Sequence, residues 1–193
     1  MRRVSVFAAI AAVALIVNAR ALTVHGLGHE FRAVAYVAGP PGSGISGVVK
    51  FKQGPADEDF PIPTVHIEAK IEGLTPGPHG FHIHENGDCS DTTAPFGGAG
   101  GHFDPGPFSN SNPDANHPFH MGDVPNLIVN KGGIGHINHV TSRITLSDGP
   151  LTVFDVNGSA VIVHANPDQG ITGAPGSGVS GGLRIACGVI NLQ

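Results

Sequence analysis

The sequence contains no tryptophan, and beyond its first twenty residues it has no long stretch rich in Ala, Leu, Glu and Lys. The lack of such stretches argues against a helical protein. Instead, 29 glycines and 16 prolines are spread along 193 residues, a composition typical of short strands joined by many turns. The chain also lacks internal repeats and charged linkers, so we expect one domain that can bury a substantial core.

Basic residues are scarce. The chain has 10 Lys and Arg against 15 Asp and Glu, a formal net charge of −5. Arg2, Arg3 and Arg20 lie in the first 21 residues, so the remainder has 7 basic and 15 acidic residues, or −8. This balance excludes a basic surface for nucleic acid or for an anionic membrane.

Only one long apolar run is present, from Val4 to Val17, and it is too short to span a bilayer comfortably. It follows two arginines and precedes Ala19-Arg20-Ala21, a small-x-small cleavage pattern. These features predict a secretory signal peptide over residues 1–21, with cleavage after Ala19 as an alternative, and a secreted, extracellular domain over residues 22–193. An uncleaved membrane anchor is the other interpretation, which the short run disfavours.

Cysteine is equally rare, since only Cys89 and Cys187 are present. In an oxidising compartment two cysteines predict one disulfide, and two unrelated buried thiols are the alternative. A bridge that closes so long a loop would contribute roughly 4 to 5 kcal/mol on the chain-entropy model.

The segment "TVHIEAKIEG" has the clearest strand pattern. Val65, Ile67, Ala69 and Ile71 alternate with polar residues, which predicts a strand with one face in the core. Seven further strands are predicted over residues 31–39, 44–53, 79–85, 125–130, 133–146, 159–165 and 183–190. Eight short strands indicate an all-β fold, an antiparallel Greek-key barrel or sandwich.

Turn and loop signals separate these strands. Asn157-Gly158 predicts a hairpin turn. Residues 88–123 and 165–183 form two long loops rich in Gly, Pro, Asn and Asp. Loops of this length in a compact domain are usually functional or disordered, and the histidines next to both loops favour function.

Histidines are concentrated around these loops. His82 and His84 are two residues apart on a predicted strand, so both rings project from one face, roughly 7 Å apart, and Phe81 and Ile83 point into the core. That spacing lets two imidazoles converge on one copper or zinc ion. A pair of surface histidines is the commoner explanation of such a motif taken alone.

The remaining candidate ligands lie at strand ends and in the loops. His102 lies among glycines that free the position of its ring, and His164 ends a strand. His117, His120 and Asp123 fall within the seven residues "HPFHMGD". A lone histidine at any of these places is usually a satisfied polar residue, but their shared location favours a metal site.

Five motifs occur in the order "HGFHIHENGDCS", "AGGHFDP", "HMGDVPNL", "VIVHANPD" and "GGLRIACGVI". In this order and spacing the chain resembles the copper/zinc superoxide dismutases of the secreted type, over residues 32–190. The resemblance implies an enzyme that disproportionates superoxide to oxygen and hydrogen peroxide at a redox copper, bridged by a histidine to a structural zinc. It also implies superoxide as the partner, with no nucleic acid, and no membrane once the signal peptide is cleaved.

The resemblance also implies a role for each matching residue. His102 is the histidine shared by both metals, and Arg184 is the arginine beside the copper; together they are the expected catalytic residues. Asp168 links a copper histidine to a zinc histidine, and Cys89 and Cys187 form the family's disulfide. The implied copper ligands are His82, His84, His102 and His164, and the implied zinc ligands are His102, His117, His120 and Asp123.

The chain departs from the family's pattern in three places. Asn110 stands where members commonly have a zinc histidine, so His117 must serve, in the compressed arrangement of some extracellular members; a copper-only enzyme is the alternative. The subloop after Cys89 is altered in a region that the family uses for dimerisation, which leaves a homodimer open. Asp168 is the only charge in residues 165–183, so we expect the rate to depend only modestly on salt.

A non-enzymatic secreted module or scavenger that binds copper and zinc on the same scaffold is the competing interpretation. Such a module would often have lost a copper ligand or the arginine. Here all four copper positions and Arg184 are filled, which favours the enzyme.

Overall fold

The computed structural model of the protein describes residues 30–55, 62–106 and 110–193. The predicted signal peptide, residues 1–21, lies outside the described residues. Eight strands are present: β1 (Phe31–Ala38), β2 (Ser46–Gln53), β3 (Val65–Glu72), β4 (Gly77–His84), β5 (Asp123–Val129), β6 (Ile134–Thr141), β7 (Ala160–His164) and β8 (Arg184–Leu192). One short 3₁₀ turn, Gly97–Ala99, lies in the loop between β4 and β5.

The strands close into a barrel with the spatial order β1-β2-β3-β6-β5-β4-β7-β8. Every pairing between these strands is antiparallel. The connections from β3 to β4 and from β6 to β7 pass over intervening strands, as in a Greek key. The predicted all-β, eight-stranded antiparallel fold is therefore confirmed.

Alternation along the strands builds the core. Val65, Ile67, Ala69 and Ile71 of β3 are all buried inside the barrel. Their neighbours in sequence face outward, which is the pattern that the sequence predicts.

Strand β4 differs from β3 because both of its faces are buried. Phe81 and Ile83 pack in the barrel core, whereas His82 and His84 project outward and are nevertheless fully buried. The two long loops, 85–122 and 165–183, cover this outer face. The barrel thus presents histidines to a chamber between its outside wall and its own loops.

Two details of the strand prediction are wrong. The strand predicted over residues 133–146 ends at Thr141. Asn157-Gly158 is a turn but joins no hairpin, because β7 pairs only with β4 and β8 in the described residues. The turn is closed locally by the Gly158 N–H to the Asp155 carbonyl, and the Gly87 N–H fastens it to the first loop.

The predicted disulfide between Cys89 and Cys187 is confirmed. It spans 98 residues and ties the first long loop to β8. Around it Phe96, Ala99 and Ile162 form a small apolar cluster outside the main core. Among the described residues, no helix is long and apolar enough to cross a membrane.

Candidate metal centre

Neighbouring strands bring the first group of histidines together. β4 carries His82 and His84, β7 ends at His164, and the two strands are paired side by side. His102, in the first loop, is fixed by an isolated bridge to His84. One ligand atom from each of these four buried side chains lies within 4.8 Å of the others. We call these four residues the copper set, because they are the residues that the sequence resemblance implies as copper ligands.

Each ring of the copper set uses one nitrogen and leaves the other without a partner. The unpaired buried atoms are His82 Nδ1, His84 Nε2, His102 Nε2 and His164 Nε2. Buried polar atoms without partners are rare in folded proteins, because each costs free energy. Four of them on adjacent side chains are the expected geometry of a metal site.

The hydrogen-bonded nitrogen of each ring determines which tautomer the histidine adopts. His84 Nδ1 donates to the Gly100 carbonyl at 3.1 Å, and His164 Nδ1 donates to the Gly182 carbonyl at 2.8 Å. His82 Nε2 lies 3.1 Å from Asp168 Oδ2. Because these bonds occupy one nitrogen, the other is a free acceptor that can bind a metal.

A second group of ligand atoms surrounds Asp123. His102 Nδ1 lies 2.7 Å from Asp123 Oδ1, and His120 Nδ1 lies 3.0 Å from Oδ2. His117 Nδ1 lies 3.3 Å from Oδ1 and makes no hydrogen bond. The group of four atoms within 4.8 Å of one another here contains His82, His102, His117 and Asp123. His120 thus joins this group through its contact with Asp123.

Local backbone geometry places these residues. Gly122 passes between two segments, donating to the Phe103 carbonyl and accepting from the Ile83 N–H. A Cβ at Gly122 would collide with the Ile83 carbonyl oxygen, so only glycine brings Asp123 this close to β4. Asn116 adopts φ 65°, a left-handed conformation that Asn tolerates, immediately before His117.

Asp168 connects the two groups. Its Oδ2 contacts His82 and its Oδ1 lies 2.7 Å from His117 Nε2. Asn126 holds it in place, donating to the Asp168 carbonyl and accepting from its N–H. The second loop therefore closes over both groups through one carboxylate.

Burial keeps the copper set neutral. It lowers the pKa of His82 to about 4, that of His102 to about 4 and that of His164 to about 3. Burial also lowers the pKa of His84 well below its usual value. Neutral imidazoles at physiological pH are the form that binds a metal.

His117, in the second group, has a pKa that is shifted in the opposite direction. Burial alone would lower the pKa of His117, but Asp123 and Asp168 outweigh it and raise the pKa to about 9. Burial would raise the pKa of Asp123 and of Asp168, but hydrogen bonds from histidines lower both. Both carboxylates are therefore ionised, and they attract a cation.

Arg184 lies at the edge of the copper set. Its guanidinium donates to the Phe96 carbonyl at 2.8 Å and to the Gly100 carbonyl at 2.5 Å. A cavity of about 270 Å³ opens beside it, lined by Asn112, Pro113, Asp114, His164, Gly176, Gly178, Ser180, Gly182 and Arg184. A small anion that enters this cavity meets Arg184 and His164 together. Burial lowers the pKa of Arg184.

Two further contacts position the strands and loops around the histidines. His79 Nδ1 lies 2.7 Å from the His164 carbonyl, which fixes the end of β7. Asp114 joins the two loops, although "SNPDANH" shows only turn chemistry in the sequence. Another cavity, of about 680 Å³, is lined in part by Asp123 and Asp168 and by none of the copper set.

The donor atoms fit copper and zinc. Four imidazoles suit copper, and three imidazoles with one carboxylate suit a tetrahedral zinc. A Greek-key barrel with a buried histidine cluster between its wall and two loops defines a metalloprotein.

Comparisons with known proteins agree with a site for copper and zinc. The family model for copper/zinc superoxide dismutase (SODC) matches residues 45–190. A superoxide dismutase [Cu-Zn] from Deinococcus radiodurans is 42% identical over 137 residues, covering 67% of this chain and 71% of the relative. Two relatives are named extracellular superoxide dismutase [Cu-Zn]. That of Drosophila melanogaster is 36% identical over 169 residues, covering 84% and 86%. That of Onchocerca volvulus is 34% identical over 174 residues, covering 87% and 79%.

The chain belongs to the copper/zinc superoxide dismutase family. Its activity is that of an oxidoreductase that disproportionates superoxide, and its cofactors are copper and zinc.

Proposed function

We propose that copper is held by the copper set and zinc by His102, His117, His120 and Asp123, with superoxide as the substrate. The observation that carries this assignment is the set of four unpaired ring nitrogens, each on a histidine whose other nitrogen is already engaged. When bound, copper supplies a one-electron redox couple, and zinc supplies a fixed positive charge. The overall reaction converts two superoxide ions and two protons into oxygen and hydrogen peroxide.

His102 is the proposed proton carrier. Its Nδ1 contacts Asp123 and its Nε2 is unpaired, and the ring belongs to both groups of ligand atoms. When it does not hold copper, Nε2 would be free to take up a proton from solvent, and it would deliver that proton to the reduced product. Arg184 attracts superoxide and orients it, because its guanidinium lies at the cavity beside His164.

His117 is the proposed zinc ligand in place of the histidine that members of the family commonly have at the position of Asn110. Support comes from its Nδ1, which is unpaired and 3.3 Å from Asp123 Oδ1, and from its Nε2, which Asp168 holds. A copper-only enzyme is the alternative. It is favoured because the four ligand atoms that lie within 4.8 Å of one another around Asp123 include one from His82 and none from His120, whose Nε2 is unpaired.

Metal analysis of the purified protein, combined with a superoxide dismutation assay, tests these assignments. We expect one copper and one zinc per chain, and His117→Ala should lose zinc. His136→Ala, an exposed histidine on β6, is the matched control and should retain both metals. Zinc retained in His117→Ala would refute the ligand assignment, and one metal per chain would favour the copper-only enzyme. Two metals without dismutation would favour the non-enzymatic binding module.

We also propose that residues 1–21 are a cleaved signal peptide and that residues 22–193 are secreted. The extracellular relatives in Drosophila melanogaster and Onchocerca volvulus support secretion. N-terminal sequencing of protein recovered outside the cell tests this: a start at Leu22 is expected, and a start at Arg20 indicates the alternative cleavage.

The partner proposals are a homodimer, with no binding to nucleic acid or, after cleavage, to membranes. Tyr36 on β1 is 69% exposed on the outer face of the barrel, which favours self-association. The acidic balance of the chain disfavours binding to anionic polymers. Sedimentation at several concentrations distinguishes a dimer from a monomer, and binding assays with DNA and anionic vesicles should be negative.

A further inference from the structure

Asp114 is a nearly buried carboxylate in the first loop, three residues before His117, with 5% exposure. It accepts three hydrogen bonds from the second loop. The Gly178 N–H binds Oδ2 at 2.9 Å, and the Ser180 N–H and hydroxyl bind Oδ1 at 3.1 and 2.9 Å. On its own loop, Asn112 Oδ1 accepts from the Asp114 N–H and so fixes the turn.

The second loop forms an anion-binding concavity around this carboxylate. Gly176 and Gly178 have φ values of 79° and 77°, and the N–H groups of Gly178 and Ser180 both point to the carboxylate. Burial alone would raise the pKa of Asp114, but these N–H donors outweigh it and lower the pKa. The anion that the concavity binds is therefore supplied by the chain itself.

The concavity is directly connected to the copper set. Ser180 is followed by Gly181 and Gly182, and the Gly182 carbonyl accepts the His164 Nδ1 hydrogen bond. Gly181 has φ 107°, and a Cβ there would lie 2.7 Å from His164 Cβ. Any displacement of this segment therefore changes the position of the His164 ring.

Other contacts fasten the same two segments. The Asp114 carbonyl accepts from the Gly173 N–H at 2.8 Å, and the Thr172 hydroxyl donates to the His117 carbonyl at 2.5 Å. Segment 112–117 and segment 172–182 thus form one wall of the cavity beside Arg184. Among the groups that make these contacts, only the Asp114 carboxylate is charged.

We propose that Asp114 is a positioning residue of the active site: its carboxylate fills the concavity of the second loop, fixes the cavity wall, and orients His164. The link to catalysis rests on the proposed role of His164 as a copper ligand. Asp168 connects the two ligand groups through histidine side chains, whereas Asp114 acts on His164 through the backbone of residues 178–182.

Three variants of the full-length metal-loaded protein test the proposal. Asp114→Ala empties the concavity, so added formate can replace the missing carboxylate. Asp114→Asn keeps the size of the side chain but removes its charge and leaves no room for formate. Asp148→Asn, at an exposed position, is the control with the same change in charge.

The readouts are amide hydrogen exchange at Gly178 and Ser180, the electron paramagnetic resonance spectrum of Cu(II), and dismutation, each with and without formate. We expect exchange at both amides to accelerate about tenfold or more in Asp114→Ala and Asp114→Asn, since hydrogen bonds to a buried charge are lost. The copper hyperfine coupling should change in both variants and remain unchanged in Asp148→Asn. Formate should restore exchange protection and the spectrum in Asp114→Ala only, and wild-type protein with formate controls for binding at copper.

Unchanged exchange in both Asp114 variants would overturn the proposal. Faster exchange with an unaltered copper spectrum would also overturn it, because Asp114 would then stabilise the loop without orienting His164. If Asp114→Ala does not fold, amide exchange and the copper spectrum are measured in Asp114→Asn instead. Wild-type protein that binds no copper would refute the proposed function, and exchange at Gly178 and Ser180 would still report on the Asp114 contact.

Discussion

At the scale of single residues, the two ring nitrogens of each copper-set histidine have different roles. One nitrogen is fixed by a carbonyl or carboxylate, and the other is free and buried. The Gly100 carbonyl illustrates how tightly these contacts are shared, because it accepts from both His84 and Arg184. A change at Arg184 therefore affects the charge of the cavity and the support of a histidine together.

Replacing Arg184 by Ile is expected to lower kcat/KM about tenfold to a hundredfold, because the guanidinium that attracts the anion is removed. Copper content should not change, since Arg184 is not among the ligand atoms. Arg184→Lys is the matched control: it keeps the charge, loses the paired contacts to Phe96 and Gly100, and should retain more of the rate. Steady-state kinetics with metal analysis distinguish these effects, and loss of copper in Arg184→Lys would contradict this account.

Zinc binding should depend on pH more steeply than copper binding. In the metal-free protein the pKa of His117 is raised to about 9, so zinc must displace a proton from it at neutral pH. Apparent zinc affinity should then rise about tenfold per pH unit up to pH 9. In the metal-free protein the pKa is lowered to about 4 for His82 and His102, to about 3 for His164, and well below its usual value for His84. These histidines are already neutral, so copper affinity of the zinc-free protein should be flat from pH 6 to 8.

Competition with a chelator across this pH range measures both affinities. Calorimetry in buffers of different ionisation enthalpy should show about one proton released per zinc at neutral pH. Equal pH dependence for the two metals would contradict the assignment of His117.

Sequence patterns predict single residues well where a strand or a recognisable motif positions them. His82, His84, Phe81 and Ile83 follow from alternation alone, and the structure brings the other candidate ligands to the same place. Asp114 could not be predicted, because its partners Gly178 and Ser180 are more than 60 residues away and act through backbone N–H groups. Such partners have no side-chain pattern in the sequence.

At the scale of elements, the two long loops and the disulfide determine what covers the barrel wall. The strands were predictable because each has apolar alternation or a short apolar run, and most are bounded by Gly, Pro, Asn or Asp. The hairpin at Asn157-Gly158 was mispredicted because a local turn signal carries no information on which strands pair. β7 pairs with β4 and β8 because its five residues are all buried and complete the barrel.

Removing the disulfide with Cys89→Ala and Cys187→Ala should destabilise the metal-free protein by at most about 4 to 5 kcal/mol, the chain-entropy value for a loop of this length. The loss should also accelerate hydrogen exchange in residues 85–101, since the tether to β8 is lost. Urea unfolding of the oxidised, reduced and double-variant proteins measures this. An unchanged midpoint would show that the loop is held by its other contacts.

At the scale of the whole molecule, the charge distribution sets how the substrate approaches. The chain has a net charge of −5. The only charge of residues 165–183, Asp168, is engaged with His82 and His117. Arg184 therefore attracts superoxide without a surrounding field of exposed lysines on this loop.

The dismutation rate should consequently change by less than about twofold between 0.01 and 0.15 M ionic strength, although the Debye length falls from about 30 to 8 Å. Salt screens mainly the attraction between distant charges, and Arg184 attracts superoxide only at short range. Stopped-flow measurement of superoxide decay tests the expectation, and a steep fall with added salt would show long-range steering from elsewhere. Gln169→Lys, which adds a charge beside Asp168, should make the rate more dependent on salt.

The closed barrel also favours a particular order of folding and metal binding. Each described strand has two neighbours, and the main core contains none of the metal-site histidines, because these project from the outer face of the sheet or lie in the loops. We expect the barrel to fold first, the loops to dock on its outside next, and the ions to arrive last. Damage confined to the loops should then produce folded, inactive molecules that persist, instead of chains that unfold and are removed.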